Sequence, residues 1–159
     1  MSNVNDLGLS WEAVIFGEPT ELKLARGHKG GLGFRIEAQG KAGHSGYPDS
    51  GRNAIDSLVR ALSVLQGIQL PWSEEFGNST LNIGLIEGGV ASNVIPETAN
   101  AWAHVRVAAG TPESIQELIQ EQVLNAVEGI ELQFSAGQKP VRIDHDIKGK
   151  FRYKLEQLD

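Results

Sequence analysis

The apolar residues of this chain recur at every second position in four stretches and at helical spacing in two. The order of those stretches leaves little choice of fold. Leu32, Phe34, Ile36 and Ala38 alternate with Gly33, Arg35, Glu37 and Gln39. Leu81, Ile83 and Leu85 alternate in the same way, as do Ala99, Ala101, Ala103, Val105 and Val107, and then Ile130, Leu132 and Phe134. Period two marks a half-buried strand. After the first stretch, Ile55, Leu58, Val59, Leu62 and Leu65 share one helical face; after the third, Ile115, Leu118, Ile119 and Val123 do, running on into 124–127. The order is therefore β-α-β-β-α-β. Two helices covering one face of a four-stranded antiparallel sheet bury this pattern with the fewest elements, which predicts an α+β, ferredoxin-like sandwich.

Local signals place the ends. The spacing predicts a first helix over 51–66, capped by Asp49 or Ser50 and ended by Gly67. Thr111-Pro112-Glu113 starts the second, with a capping hydroxyl, a proline in the first turn and an acid that suits the helix dipole; Gly129 ends it. Gly27, Gly30 and Gly31 predict a turn or bulge before the first strand. Residues 40–50 and 68–79 read as loops. The short apolar run Trp11–Phe16 reads as a strand or an extended lead-in, and Pro19 would stop a central strand there. These boundaries divide the chain into a lead-in over 1–20, a domain over 21–137 and a polar tail over 138–159.

At 159 residues the chain is long enough for one ordinary core. Its net charge of −6 disfavours nucleic acid and anionic membrane surfaces as partners. No apolar run suits a membrane span, and the N-terminus carries no secretory leader pattern. With no cysteine, thiolate metal sites, disulfides and cysteine nucleophiles are excluded. A reducing, cytoplasmic setting is the expectation.

Chemistry is sparse. None of His28, His44, His104 and His145 pairs with another at helical metal-binding spacing. Asp144-His145-Asp146 and Glu74-Glu75 read as solvated turns. Lys29-Gly30-Gly31-Leu32-Gly33 leads into a strand, so it presents no helix N-terminus to a phosphate. Gly-His44-Ser-Gly is not a nucleophile elbow. Three polar residues remain: His44 in a glycine-rich loop, Asn93 after Gly88-Gly89, and Arg106 on an alternating strand. Pattern alone takes them no further than loop, turn and surface positions.

Three ordered motifs carry a resemblance. They are Gly17-Glu18-Pro19-Thr20; Gly40-Lys41-Ala42-Gly43-His44-Ser45-Gly46-Tyr47-Pro48 with Asn53-Ala54-Ile55; and Gly88-Gly89-Val90-Ala91-Ser92-Asn93-Val94-Ile95-Pro96 with His104-Val105-Arg106. Together, over roughly 12–136, they resemble the M20 family of zinc-dependent metallopeptidases and amidohydrolases, which includes acetylornithine deacetylases, succinyl-diaminopimelate desuccinylases and glutamate carboxypeptidases. In that family a β-α-β-β-α-β lid, or dimerisation domain, is inserted into the catalytic domain. The resemblance implies that His44 reaches the partner subunit's active site and stabilises an oxyanion. It implies that Asn93 and Arg106 bind substrate, and that Glu18 is a metal ligand in a full-length parent. The parent would be a homodimer binding Zn²⁺ and hydrolysing a small N-acyl amino acid or a peptide.

The family's H-x-D motif, its bridging Asp, its Glu-Glu pair and its last ligand His have no match here. Glu74-Glu75 follows the GEPT motif where the family's pair precedes it, and His145 is followed two residues on by Ile147. One carboxylate cannot hold zinc. The chain alone is thus expected to be an incomplete, inactive lid without a cofactor. The alternative is a free-standing ferredoxin-like module that binds a ligand or a protein.

Overall fold

The computed structural model describes residues 27–142. Its main elements are β1 (Gly30–Gln39), α1 (Ala54–Gly67), β2 (Thr80–Gly88), β3 (Thr98–Val107), α2 (Pro112–Ala126) and β4 (Ile130–Phe134). The four strands form one sheet in the order β2-β3-β1-β4, every neighbouring pair antiparallel. With both helices packed on the sheet, this is the expected ferredoxin-like sandwich. The lead-in strand, Glu18 and the Asp144-His145-Asp146 turn lie outside the described residues.

The period-two pattern decides which face is covered. On β1, Leu32, Phe34, Ile36 and Ala38 are at most 4% exposed. On β3, Ala99, Ala101, Ala103, Val105 and Val107 are buried against the same layer. Three consecutive inward alanines on this central strand let the helices approach closely. The helices answer with Ala54, Leu58, Ala61 and Leu65 on α1, and Ile115, Ile119 and Val123 on α2. Each large side chain fully withdrawn from water here contributes about 1.5–3 kcal/mol. The opposite face is open and polar. There Arg35 lies 5.4 Å over the Trp102 ring, donates to Asn100 Oδ1 at 2.7 Å and pairs with Glu37 at 3.1 Å.

Several local expectations need correction. Val59 does not share the buried face of the first helix with Leu58, Leu62 and Leu65 but is 55% exposed. The first helix starts at Ala54 and is capped by Asn53, whose Oδ1 accepts from the amides of Ile55 at 2.9 Å and Asp56 at 3.3 Å. Neither Asp49 nor Ser50 caps it, because Pro48–Ser50 forms its own 3-10 turn and Arg52 pairs with Lys41. Leu85 does not share a face with Leu81 and Ile83. A β-bulge between Ile83 and Leu85 shifts the register, so Leu85 pairs with outward-facing Trp102 and is 49% exposed. Gly30 and Gly31 belong to β1 rather than to a turn. A Cβ on Gly30 would collide with the carbonyl of Gln138, whose backbone runs alongside.

That segment, for which the sequence offers no structure, is tied to the sheet. Gly31 and Gln138 exchange backbone hydrogen bonds of 2.9 and 2.7 Å, and Gly27–His28 pairs with Val141–Arg142. The loop 68–79 contains a small hairpin, Trp72–Ser73 against Gly77–Asn78, with Glu74 and Glu75 in its turn. The second helix begins as expected: Thr111 caps it, Ser114 closes a reciprocal capping box and Pro112 occupies the first turn. Among the described residues no helix is long and apolar enough to cross a membrane.

Candidate functional site

Two loops meet at one end of the sheet, and a junction of backbone hydrogen bonds holds them. As β1 ends, Gly40 donates to Glu97 O at 2.7 Å, just before β3 begins. Lys41 and Arg52 exchange bonds of 2.8 and 2.9 Å, and Ala54 donates to Pro96 O at 3.0 Å. A Cβ on Gly40 would strike Arg52 O, Ala54 N and Pro96 O together, so only glycine lets the three segments converge.

Beyond the junction, Gly43–His44 forms a short antiparallel pair with Val94–Ile95, with His44 opposite Val94. Ile95, 8% exposed, anchors the pair. Ser45 then donates to Asn93 O at 3.1 Å. This brings His44 and Asn93 together, although 49 positions separate them in sequence (93 − 44 = 49). Both residues are exposed. Asn93 sits in a turn closed by Val94 N to Ala91 O at 3.1 Å.

The imidazole of His44 is held in one sense. The Gly46 amide donates to its Nδ1 at 2.9 Å. An amide N–H can only donate, so Nδ1 is the acceptor and a neutral ring carries its proton on Nε2. The exposed face of His44 therefore offers an N–H donor. Tyr47 donates its own amide to His44 O at 2.9 Å, and its ring lies 5.7 Å from the imidazole with the planes 56° apart.

Arg106 lies elsewhere. It stands near the far end of β3, opposite Gly31 on β1 and Thr80 on β2, and it is exposed on the face away from the helices. Thr98 marks the His44 end of the same strand. Eight residues at about 3.3 Å each put Arg106 about 26 Å away. Within one chain, His44 and Asn93 come together and Arg106 does not join them. Beside Arg106, the ring of His104 leans over Gly31; a Cβ there would lie 3.0 Å from its Nε2.

The sequence reading gave Tyr47 and His104 no role of their own. The only signal for Tyr47 was its place between Gly46 and Pro48 in the loop motif. Among the described residues no group of three His, Asp or Glu side chains could hold a metal ion. The described residues do not form a metal centre by themselves.

Comparison with known proteins agrees with this fold. Residues 26–131 match the M20 family model described as a peptidase dimerisation domain. A probable carboxypeptidase of Aspergillus oryzae is 43% identical over 162 aligned residues, covering 93% of this chain and 38% of that protein. One from Aspergillus clavatus is 45% identical over 152, covering 88% and 37%. The chain thus spans under two-fifths of the length of these relatives. Among solved structures, the M20 family metallo-carboxypeptidase Sso-CP2 from Sulfolobus solfataricus superposes with a TM-score of 0.63 at 18% identity, over 75% of this chain and 46% of that one. Aminopeptidase PepT from Bacillus cereus gives 0.58 at 20%, over 77% and 34%. At these identities the structural matches speak for the fold.

Proposed function

The chain belongs to the M20 peptidase family, whose dimerisation domain it carries, and from that premise we propose that it is the lid of a homodimeric, metal-dependent carboxypeptidase or N-acyl amino acid amidohydrolase. It pairs with a second copy and delivers His44 and Asn93 to the partner subunit's active site. The observation that carries this reading is the bond from the Gly46 amide to His44 Nδ1, which leaves Nε2–H as an exposed, oriented donor.

The chemistry follows from what each side chain can offer. Amide hydrolysis places negative charge on the carbonyl oxygen as the tetrahedral intermediate forms. The Nε2–H of His44 donates to that oxygen more strongly as the charge grows, which lowers the barrier rather than merely binding substrate. Asn93 presents both a donor and an acceptor, suited to the substrate's amide or carboxylate. Arg106 suits bidentate capture of a substrate carboxylate. At about 26 Å from Thr98 along β3, it serves a different active site from the one its own chain's His44 serves. In the full-length parent a metal such as zinc would be held mainly by residues of the catalytic half, with Glu18 as this chain's contribution, and would supply an activated water there. The cytoplasm is the proposed compartment, since a chain without cysteine suits reducing conditions.

For the contact between copies we propose the outer edge of β2 with the adjoining face of α1. An edge strand leaves one row of amides and carbonyls unpaired, and a two-fold axis lets two such edges satisfy each other. Apolar side chains stand exposed along this border: Ile86 is 58% exposed, Val90 88%, and Val59 on α1 55%.

The test is subunit complementation in the full-length enzyme. His44→Ala protomers are mixed with protomers lacking the catalytic base. Donation across the dimer predicts recovery on the order of a quarter of normal activity, since half the dimers are mixed and each has one whole site. No recovery would mean that His44 acts in its own subunit, and His44→Ala protomers that are fully active on their own would mean that it does not act at all.

A further inference from the structure

Tyr47 is the large aromatic side chain nearest the His44 donor, and its position is fixed although its ring is not buried. Its amide donates to His44 O at 2.9 Å. Its carbonyl accepts from the Ser50 amide at 3.0 Å and from Ser50 Oγ at 2.7 Å. Pro48 follows, and Tyr47 sits at φ −128° and ψ 70°, outside the α region that a following proline disfavours. The ring is nonetheless 72% exposed. A pinned backbone that holds an aromatic ring in water is built to meet another surface.

We infer that Tyr47 enters the partner's active site alongside His44 and forms an apolar wall against the acyl group of the substrate, so that it sets preference for bulky acyl chains. This rests on the reading that the His44 loop serves that site. Nε2–H of His44 holds the scissile carbonyl oxygen, and the Tyr47 ring centroid lies 5.7 Å from the imidazole. A group at that range borders the substituent on the same carbonyl carbon. The 56° tilt turns the ring across the imidazole rather than stacking it flat, which leaves its face available to a ligand. Large apolar acyl groups, branched or aromatic, gain contact there; an acetyl group is too short to gain as much.

The experiment compares two substrates in the full-length enzyme, an N-acetyl and an N-benzoyl derivative of one amino acid. Tyr47→Ala is expected to lower the benzoyl-to-acetyl ratio of kcat/KM by about tenfold, the scale on which a lost apolar contact changes selectivity. Tyr47→Phe is expected to keep the ratio, because the ring and not the hydroxyl makes the wall. Equal loss on both substrates would overturn the inference and leave Tyr47 as a prop for His44. So would a ratio that falls as far in Tyr47→Phe as in Tyr47→Ala. A parallel His44→Ala variant separates the two levels. If it keeps full kcat, the loop does not serve the site and the reading beneath fails as well. If it loses kcat while Tyr47→Ala leaves the ratio unchanged, only the role of Tyr47 fails.

Discussion

Gly46 donates its amide hydrogen to Nδ1 of His44 across 2.9 Å, and this one bond decides which nitrogen of the ring faces outward as a donor. In this chain, nitrogen NMR of the neutral imidazole should show the proton on Nε2 alone. Gly46→Pro removes the donor and should give a mixture of tautomers. A mixed population in the unaltered chain would remove the basis for His44 as an oriented donor.

In the full-length enzyme, His44 and Arg106 should fail differently. His44→Ala should lower kcat by about 10²–10³-fold, because its hydrogen bond strengthens only as the oxyanion forms. Arg106→Ala should mainly raise KM for substrates with a free carboxylate, by about 10–100-fold, the equivalent of losing charge-assisted hydrogen bonds. Steady-state kinetics on a substrate and its carboxamide analogue separate the two, since the analogue should be indifferent to Arg106.

Ile86→Lys should convert the proposed dimer to monomers without unfolding them. Ile86 is 58% exposed in the single chain, so a lysine there meets water, whereas in a paired edge it would place a charge in the contact. Sedimentation velocity reads the mass and circular dichroism the fold. A dimer that survives the change would move the contact away from β2.

Gly40→Ala should destabilise the domain by about 1–3 kcal/mol, the usual cost of forcing atoms into a filled space. Its Cβ would strike three backbone atoms from two other segments. Denaturant unfolding gives the loss, and the His44 ring resonances should shift with it, since the same junction carries both loops.

Glu113 supplies a pH signature. Hydrogen bonds to its own backbone amide and then to the Thr111 side chain hold its carboxyl below the usual range; desolvation opposes them, and the charge of Lys139 adds the smallest lowering. A carboxyl lowered in the folded state adds stability above its unfolded value, lost as pH falls through the folded one. Glu113→Gln should therefore lower the melting temperature slightly at pH 7 and leave it unchanged well below the carboxylate range. An equal deficit at both pH values would assign the effect to lost contacts instead of charge.

The layers of this fold were legible because alternation and helical spacing report burial directly. Each inward residue expected on β1 and β3 is buried. Features that depend on contacts between distant segments were not. The helix start moved to Asn53 because Arg52 pairs with Lys41 across the junction. Leu85 turned outward because of a bulge that alternation cannot register. The separation of His44 from Arg106 needed the strand order. The resemblance placed both residues in substrate recognition, but only the register puts Arg106 at the end of β3 away from the His44 loop.

That separation has a consequence for how such an enzyme would respond to concentration. A rigid strand cannot fold back to bring its two ends into one pocket, so no protomer can repair a missing partner by local rearrangement. Each working pocket in the proposed assembly then depends on a bimolecular encounter. Below the dissociation constant for pairing, specific activity should fall in proportion to protein concentration, and dilution by itself would act as an off-switch that reassociation reverses.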